Sequence, residues 1–192
     1  MAKIEWNAGT MLSPLPAALI SSGSLEKPNV MTAAWVGNIC SNPPRAYVSI
    51  RPSRLSYEII SETKEFVINI TTEKLKFATD YCGIISGRDE DKFKRCSLTQ
   101  EKSFKVNSPS IAESPVSIEC KVFDIVKLGS HDMFMADIVS VSVDEDLIDS
   151  DNRLQLEAAG IISYIHGEYY TLGEYIGHFG WSVKKDGYIK KR

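Results

Sequence analysis

Two long β-favouring runs joined by a short turn constrain this chain more than any other feature. Residues 116–128 and 134–143 are rich in β-branched and aromatic side chains, which suit a pleated, half-buried surface. Gly129-Ser130-His131-Asp132 supplies the turn between them. So short a link favours an antiparallel hairpin, because a parallel pair needs a crossover of about a dozen residues or more. Other strand-like runs follow the same pattern: 17–22, 30–36, 46–51, 66–70 and a pair within 161–172 around His166-Gly167. Helical spacing is confined to short stretches, at 53–61, 73–80 and 88–95. Strands outnumber helices and short turns link them, so the expected fold is mainly β. It is an antiparallel barrel or sandwich with a few covering helices, not a doubly wound parallel sheet.

At 192 residues and 43% apolar content, the chain is long enough to bury a sizeable core as one domain. Segments 38–44 and 144–151 read as loops, the first fixed by Pro43-Pro44. Ser108-Pro109-Ser110 and Ser114-Pro115 punctuate a surface excursion.

Charge and cysteine usage exclude several functions. A net charge of −3 offers no basic face for nucleic acid. The basic end formed by Lys184, Lys185, Lys190, Lys191 and Arg192 reads as a solvated terminus. Cys40, Cys82, Cys96 and Cys120 form no Cys-x-x-Cys pair, and no histidine cluster has ligand spacing, so no metal site is expected. The first residues lack a signal-peptide core. No window reaches the roughly 20 apolar residues of a membrane span. Together these imply a cytoplasmic chain with reduced thiols. The sequon Asn69-Ile70-Thr71 is then a chance match.

Recognisable catalytic motifs are absent. There is no Gly-x-Ser-x-Gly elbow, no Walker A loop and no Gly-x-Gly-x-x-Gly between strand and helix. The informative stretch is 29–60. It reads as two buried strands and then a helix opening among Arg51, Ser53, Arg54 and Ser56. Unpaired amides and the dipole at a helix start attract anions, and arginines add bidentate contacts. By itself that pattern equally fits Ser53 as a plain N-cap beside solvated arginines.

Ordered matches add a resemblance. Asn29-Val30-Met31-Thr32-Ala33-Ala34-Trp35, Ser41-Asn42-Pro43-Pro44 and Val48-Ser49-Ile50-Arg51-Pro52-Ser53-Arg54-Leu55-Ser56 come first. Glu65-Phe66-Val67-Ile68-Asn69, Tyr81-Cys82-Gly83, Ser86-Gly87-Arg88, Asp91-Lys92-Phe93, Glu119-Cys120 and His131-Asp132 follow. Tyr170-Thr171-Leu172-Gly173-Glu174 and Phe179-Gly180-Trp181-Ser182 close the series. Taken together and in order, they resemble the flavin reductase-like FMN-binding family, and within it the flavoredoxins.

The resemblance implies a split β-barrel, a single domain over 1–192, a homodimer, and FMN held near the dimer interface, with FAD not strictly excluded. It implies that Met31, Thr32 and Ala33 lie along the flavin ring. Ser49, Ile50 and Arg51 would border the ring, and Ser53, Arg54 and Ser56 would hold the phosphate. Cys82, Gly83, Ser86 and Gly87 would close over the flavin, with Lys92 and His131 reaching it from the facing subunit. The activity implied is hydride or electron transfer with a small-molecule or protein donor and acceptor. The alternatives are a flavin store or sensor without turnover, and a flavin-free binding module.

Other residues carry plainer expectations. Trp35, Cys40 and Cys120 read as core, and Cys82 as a small buried hydrophobe. His166 reads as a turn residue and Tyr169-Tyr170 as packing. His131 fits a turn or a site, and His178 stays open.

Overall fold

The structure, a computed structural model, describes residues 1–183. The basic end read above lies outside the described residues. Residues 1–14 carry no regular element. Thereafter the strands are β1 (Leu15–Pro16), β2 (Ala18–Gly23), β3 (Pro28–Ala33), β4 (Val36–Ser41), β5 (Pro44–Ile50) and β6 (Glu65–Ile70). They continue with β7 (Gln100–Glu101), β8 (Ser110–Ile111), β9 (Val116–Lys127), β10 (Asp132–Val143), β11 (Ile162–Ile165) and β12 (Glu168–Thr171). Three helices intervene: α1 (Leu55–Thr63), α2 (Lys76–Ile84) and α3 (Lys92–Arg95).

Seven strands form one sheet in the order β3-β2-β6-β9-β10-β5-β4, and each neighbouring pair is antiparallel. Its two edge strands, β3 and β4, are separated in sequence only by Ala34 and Trp35. A sheet whose far edges are joined by two residues must curl until those edges meet. They meet without a ladder between them, and Ser49 N–H, donating to Trp35 O at 2.8 Å, ties the bend to β5. The fold is therefore an antiparallel split barrel with a few covering helices, and its seam lies at β3–β4.

Side-chain alternation fills the barrel. On β10, Asp132, Phe134 and Ala136 are buried while the residues between them are half-buried. On β5, Ala46, Val48 and Ile50 are buried in the same way, as the two-residue period of a strand requires. These meet Ile20, Phe66, Ile68 and Cys120 in the interior. Helix α1 plugs one end with Ile60, and Tyr57 sets its ring edge-on to Phe134 at 5.2 Å. A second cluster, Leu19, Val30, Ala78, Cys82 and Phe93, packs α2 and α3 on the outside of β2 and β3. β2 is buried on both faces, which is why its first half, with Ala17 before it, reads as the apolar run 17–20.

Several expectations change. The strand expected at 30–36 is two strands with a bend at Ala34-Trp35, because the chain there crosses from one sheet edge to the other. The loop expected at 38–44 is a hairpin, β4 paired with β5. Pro44 opens β5, a position where a missing N–H is tolerated. Cys40 is exposed rather than core. It lies on edge strand β4, and its thiol donates to Pro43 O at 2.9 Å. Ser53 is not the N-cap of α1: Arg54 holds that position in extended conformation, with no side-chain cap bond. Among the described residues, no helix is long and apolar enough to cross a membrane.

Candidate functional site

The seam opens into a cavity of about 420 Å³. Met31, Thr32 and Ala33 of β3 form one side, Ala34 and Trp35 of the bend continue it, and Ser49, Ile50 and Arg51 at the end of β5 face them. Because β3 pairs only with β2, backbone N–H and C=O groups on its outer edge lack a ladder partner. Such an edge readily bonds another chain or a ligand. Asp80, Gly83 and Ile84 of α2 form a wall, and Tyr164, Gly167 and Tyr169 of the β11–β12 hairpin form a further one. Helix α2 is held against β3 by Thr32, whose hydroxyl donates to Thr79 O at 2.5 Å.

The charges are unevenly placed. Arg51 and Arg54 both line the cavity. The Arg54 guanidinium donates to Gly83 O at 3.1 Å, which ties the start of α1 to the wall. Arg51 is exposed and has no ion pair among the described residues. Asp80, on the opposite side, accepts from the Tyr169 hydroxyl at 3.4 Å. Burial, with the Asp80 charge beside it, pushes the Tyr169 phenol up to about 12. His131 lies 4.4 Å from the Trp35 ring, tilted by 50°, with its Nδ1 2.9 Å from the Ser130 hydroxyl. Partial burial, then the Arg51 charge, holds its imidazole below the usual histidine value.

Nine of the fifteen residues singled out from the sequence line this cavity: Met31, Thr32, Ala33, Ser49, Ile50, Arg51, Arg54, Gly83 and His131. The other six stand behind or beside it. Ser53 is exposed, and its carbonyl accepts from Arg88 at 3.1 Å. Ser56 is buried and accepts from Asn29 Nδ2 at 2.7 Å. The Ser86 hydroxyl accepts from Arg88 N–H at 3.2 Å. Gly87 presses on Asn29: an added Cβ would lie 2.2 Å from its Oδ1. Lys92 is buried and donates to Ile85 O at 3.1 Å and Cys82 O at 3.5 Å. Cys82 points into the outer core, and burial above all pushes its thiol up to about 12. Gly87 and Lys92 line a smaller neighbouring cavity of about 190 Å³ together with Asn29, Glu90 and Asp91.

Sequence reasoning missed Trp35, Asp80, Ile84, Tyr164 and Tyr169. Trp35 read as core because its run looked like one strand. The bend that turns it into the cavity follows from which strands are sheet edges, and no local pattern carries that. Asp80 and Ile84 are one helical turn apart on α2, flanking Gly83, and that spacing was legible. Among the described residues no group of three or more histidine, cysteine or acidic side chains could hold a metal ion.

With this geometry in hand, the likeness to known proteins is specific. A flavin reductase like domain matches residues 11–173. A protein of Archaeoglobus fulgidus of undescribed activity is 40% identical over 131 residues, covering 68% of this chain and 73% of the relative. The flavoredoxin of Desulfovibrio vulgaris (Miyazaki F) superposes with a TM-score of 0.88 at 32% identity, over 95% of this chain and all (100%) of that one. The flavoredoxin of Methanosarcina acetivorans gives 0.86 at 24% identity, over 96% and 100%, a likeness of fold. The chain belongs to the flavin reductase-like family, on its flavoredoxin branch.

Proposed function

We propose that this chain is an FMN-binding oxidoreductase, a single flavin reductase-like domain over 1–192 that passes hydride or electrons between a donor and an acceptor. The observation that carries the reading is the seam cavity itself. It joins an unpaired strand edge, a floor of small and apolar side chains, and two arginines within one slot. The edge of Met31–Ala33 suits the polar rim of a flat heterocycle. Ala33, Ala34 and Ile50 let such a ring lie close. Arg54, beside Ser53 at the start of α1, suits a terminal phosphate. Bound flavin would supply the hydride and electron chemistry.

The chain's own residues orient and enclose. Thr32 and Arg54 fix the α2 wall, and Trp35 and His131 fill one corner. Ser56, Cys82, Gly87 and Lys92 support that wall from behind, Ser86 stands beside it, and Ser49 completes the lining. A homodimer is part of the reading. Trp6 and Leu12 near one end of the chain and Tyr175, Ile176 and Phe179 near the other are exposed, apolar side chains of the kind that a partner subunit would cover.

The test is a titration of purified protein with FMN, followed by anaerobic addition of NADH and of NADPH. Tight FMN uptake with bleaching by either nucleotide supports a nicotinamide-dependent reductase. Uptake without bleaching leaves an electron carrier with a protein donor, or a flavin store. Failure to take up FMN refutes the reading.

A further inference from the structure

Two of the four cysteines meet behind the α2 wall. Cys82 lies in the last turn of α2 and Cys96 directly follows α3. Their Sγ atoms are 4.0 Å apart. Cys82 is buried and Cys96 half-buried, while Cys40 is exposed and Cys120 sits in the barrel interior. We propose that Cys82 and Cys96 are a redox-active dithiol, which small-molecule disulfides convert to an intramolecular disulfide. The proposal stands whether or not the chain binds flavin.

Geometry makes the pair. A disulfide needs its sulfurs about 2 Å apart, so closure requires an approach of about 2 Å. Cys96 sits in irregular backbone at the end of a four-residue helix, and Ser97 after it has φ +53°. One side of the pair can therefore rotate without breaking a long element. The two positions are 14 residues apart, a loop that cross-linking closes without tangling the fold. The segment between them carries Gly83, which holds Arg54, and Gly87, which presses on Asn29. The disulfide would staple the last turn of α2, which forms the cavity wall, to the end of α3.

The chemistry balances. The Cys96 thiolate attacks one sulfur of R–S–S–R, forming a mixed disulfide and releasing one thiolate. The Cys82 thiolate then attacks the Cys96 sulfur, forming the Cys82–Cys96 bond and releasing the second. The protein loses two electrons and two protons, and the oxidant becomes two thiols. Cys96 goes first because it is the more exposed. Burial raises both thiols, an effect that the Lys92 ammonium opposes. The first step is consequently slow, and proximity drives the second.

The experiment uses full-length Cys40→Ser, which removes the exposed thiol, treated with excess glutathione disulfide under mildly alkaline conditions. Intact mass and peptide mapping after alkylation are the readouts. The expected result is loss of two hydrogens, a cross-linked peptide pair containing Cys82 and Cys96, and recovery of both thiols with dithiothreitol. A stable glutathione adduct on Cys96 with Cys82 still free would overturn the proposal. So would Cys82 and Cys96 both still free after an exposure many times longer than the one that modifies Cys40 in the unsubstituted chain. Cys96→Ser should show no loss of hydrogens. If that variant does not fold, the peptide map of the Cys40→Ser protein decides alone.

Discussion

Replacing Arg54 with alanine separates a phosphate contact from a merely structural arginine. In the structure its guanidinium spends one donor on Gly83 O, which leaves four of the five N–H groups for a ligand in the cavity. A charge-assisted hydrogen bond contributes about 1.5–3 kcal/mol, so its loss weakens FMN binding by about tenfold to 150-fold at about 1.4 kcal/mol per decade. Losing the Gly83 bond also loosens the α2 wall, by about 1 kcal/mol. Riboflavin, which has the ring but no phosphate, tells these effects apart. Fluorescence titrations of both ligands should show Arg54→Ala losing FMN affinity by that factor and riboflavin affinity by a much smaller one. Arg54→Lys, which keeps the charge without the fork, should fall between. Equal losses for both ligands would assign Arg54 to the wall alone. Unchanged FMN affinity would refute the phosphate role.

Three further outcomes are expected. Gly87→Ala places a methyl 2.2 Å from Asn29 Oδ1 and 3.1 Å from Leu55 Cδ2; denaturant unfolding should show a loss of about 1–3 kcal/mol. Phe134→Ala, at a fully buried site, should cost about 3–5 kcal/mol, and an unchanged unfolding midpoint would contradict the interior packing described. The His131 imidazole should titrate below the usual histidine value by NMR, and Arg51→Gln should raise it by removing a like charge. Since the folded chain takes up that proton less readily than the unfolded chain, the sign is fixed. Stability is complete above the usual histidine value and declines as pH falls below it.

Local pattern carried the strands and the long hairpin, because 116–128 and 134–143 are two β-favouring runs joined by a short turn, and they pair as β9 and β10. It carried the cavity face of β3 and β5 as well, through the ordered likeness to a known family. It failed where tertiary order decides. Nothing local says that β3 and β4 are opposite edges of one sheet, so the bend at Trp35 was read as strand interior. Cys40 reads as core by residue type alone, yet it lies on an edge strand with a face in water. Ser56 and Lys92 have the residue types of anion ligands, but buried partners, Asn29 for one and two backbone carbonyls for the other, claim them first. Tyr164 and Tyr169 reach the cavity only because β11 pairs with β1.

Lys92 has a consequence for motion. Its buried ammonium bonds carbonyls at the C-terminal end of α2, where the helix dipole is negative and intrahelical donors run out. It reaches them from α3, so the end of one helix is capped by a charge anchored in the next. Neither helix can fray without pulling that ammonium off its acceptors or carrying it along. Native-state hydrogen exchange should therefore find the last turn of α2 and all of α3 opening as one cooperative unit. Lys92→Met should divide that unit into two, with the faster exchange on the α3 side.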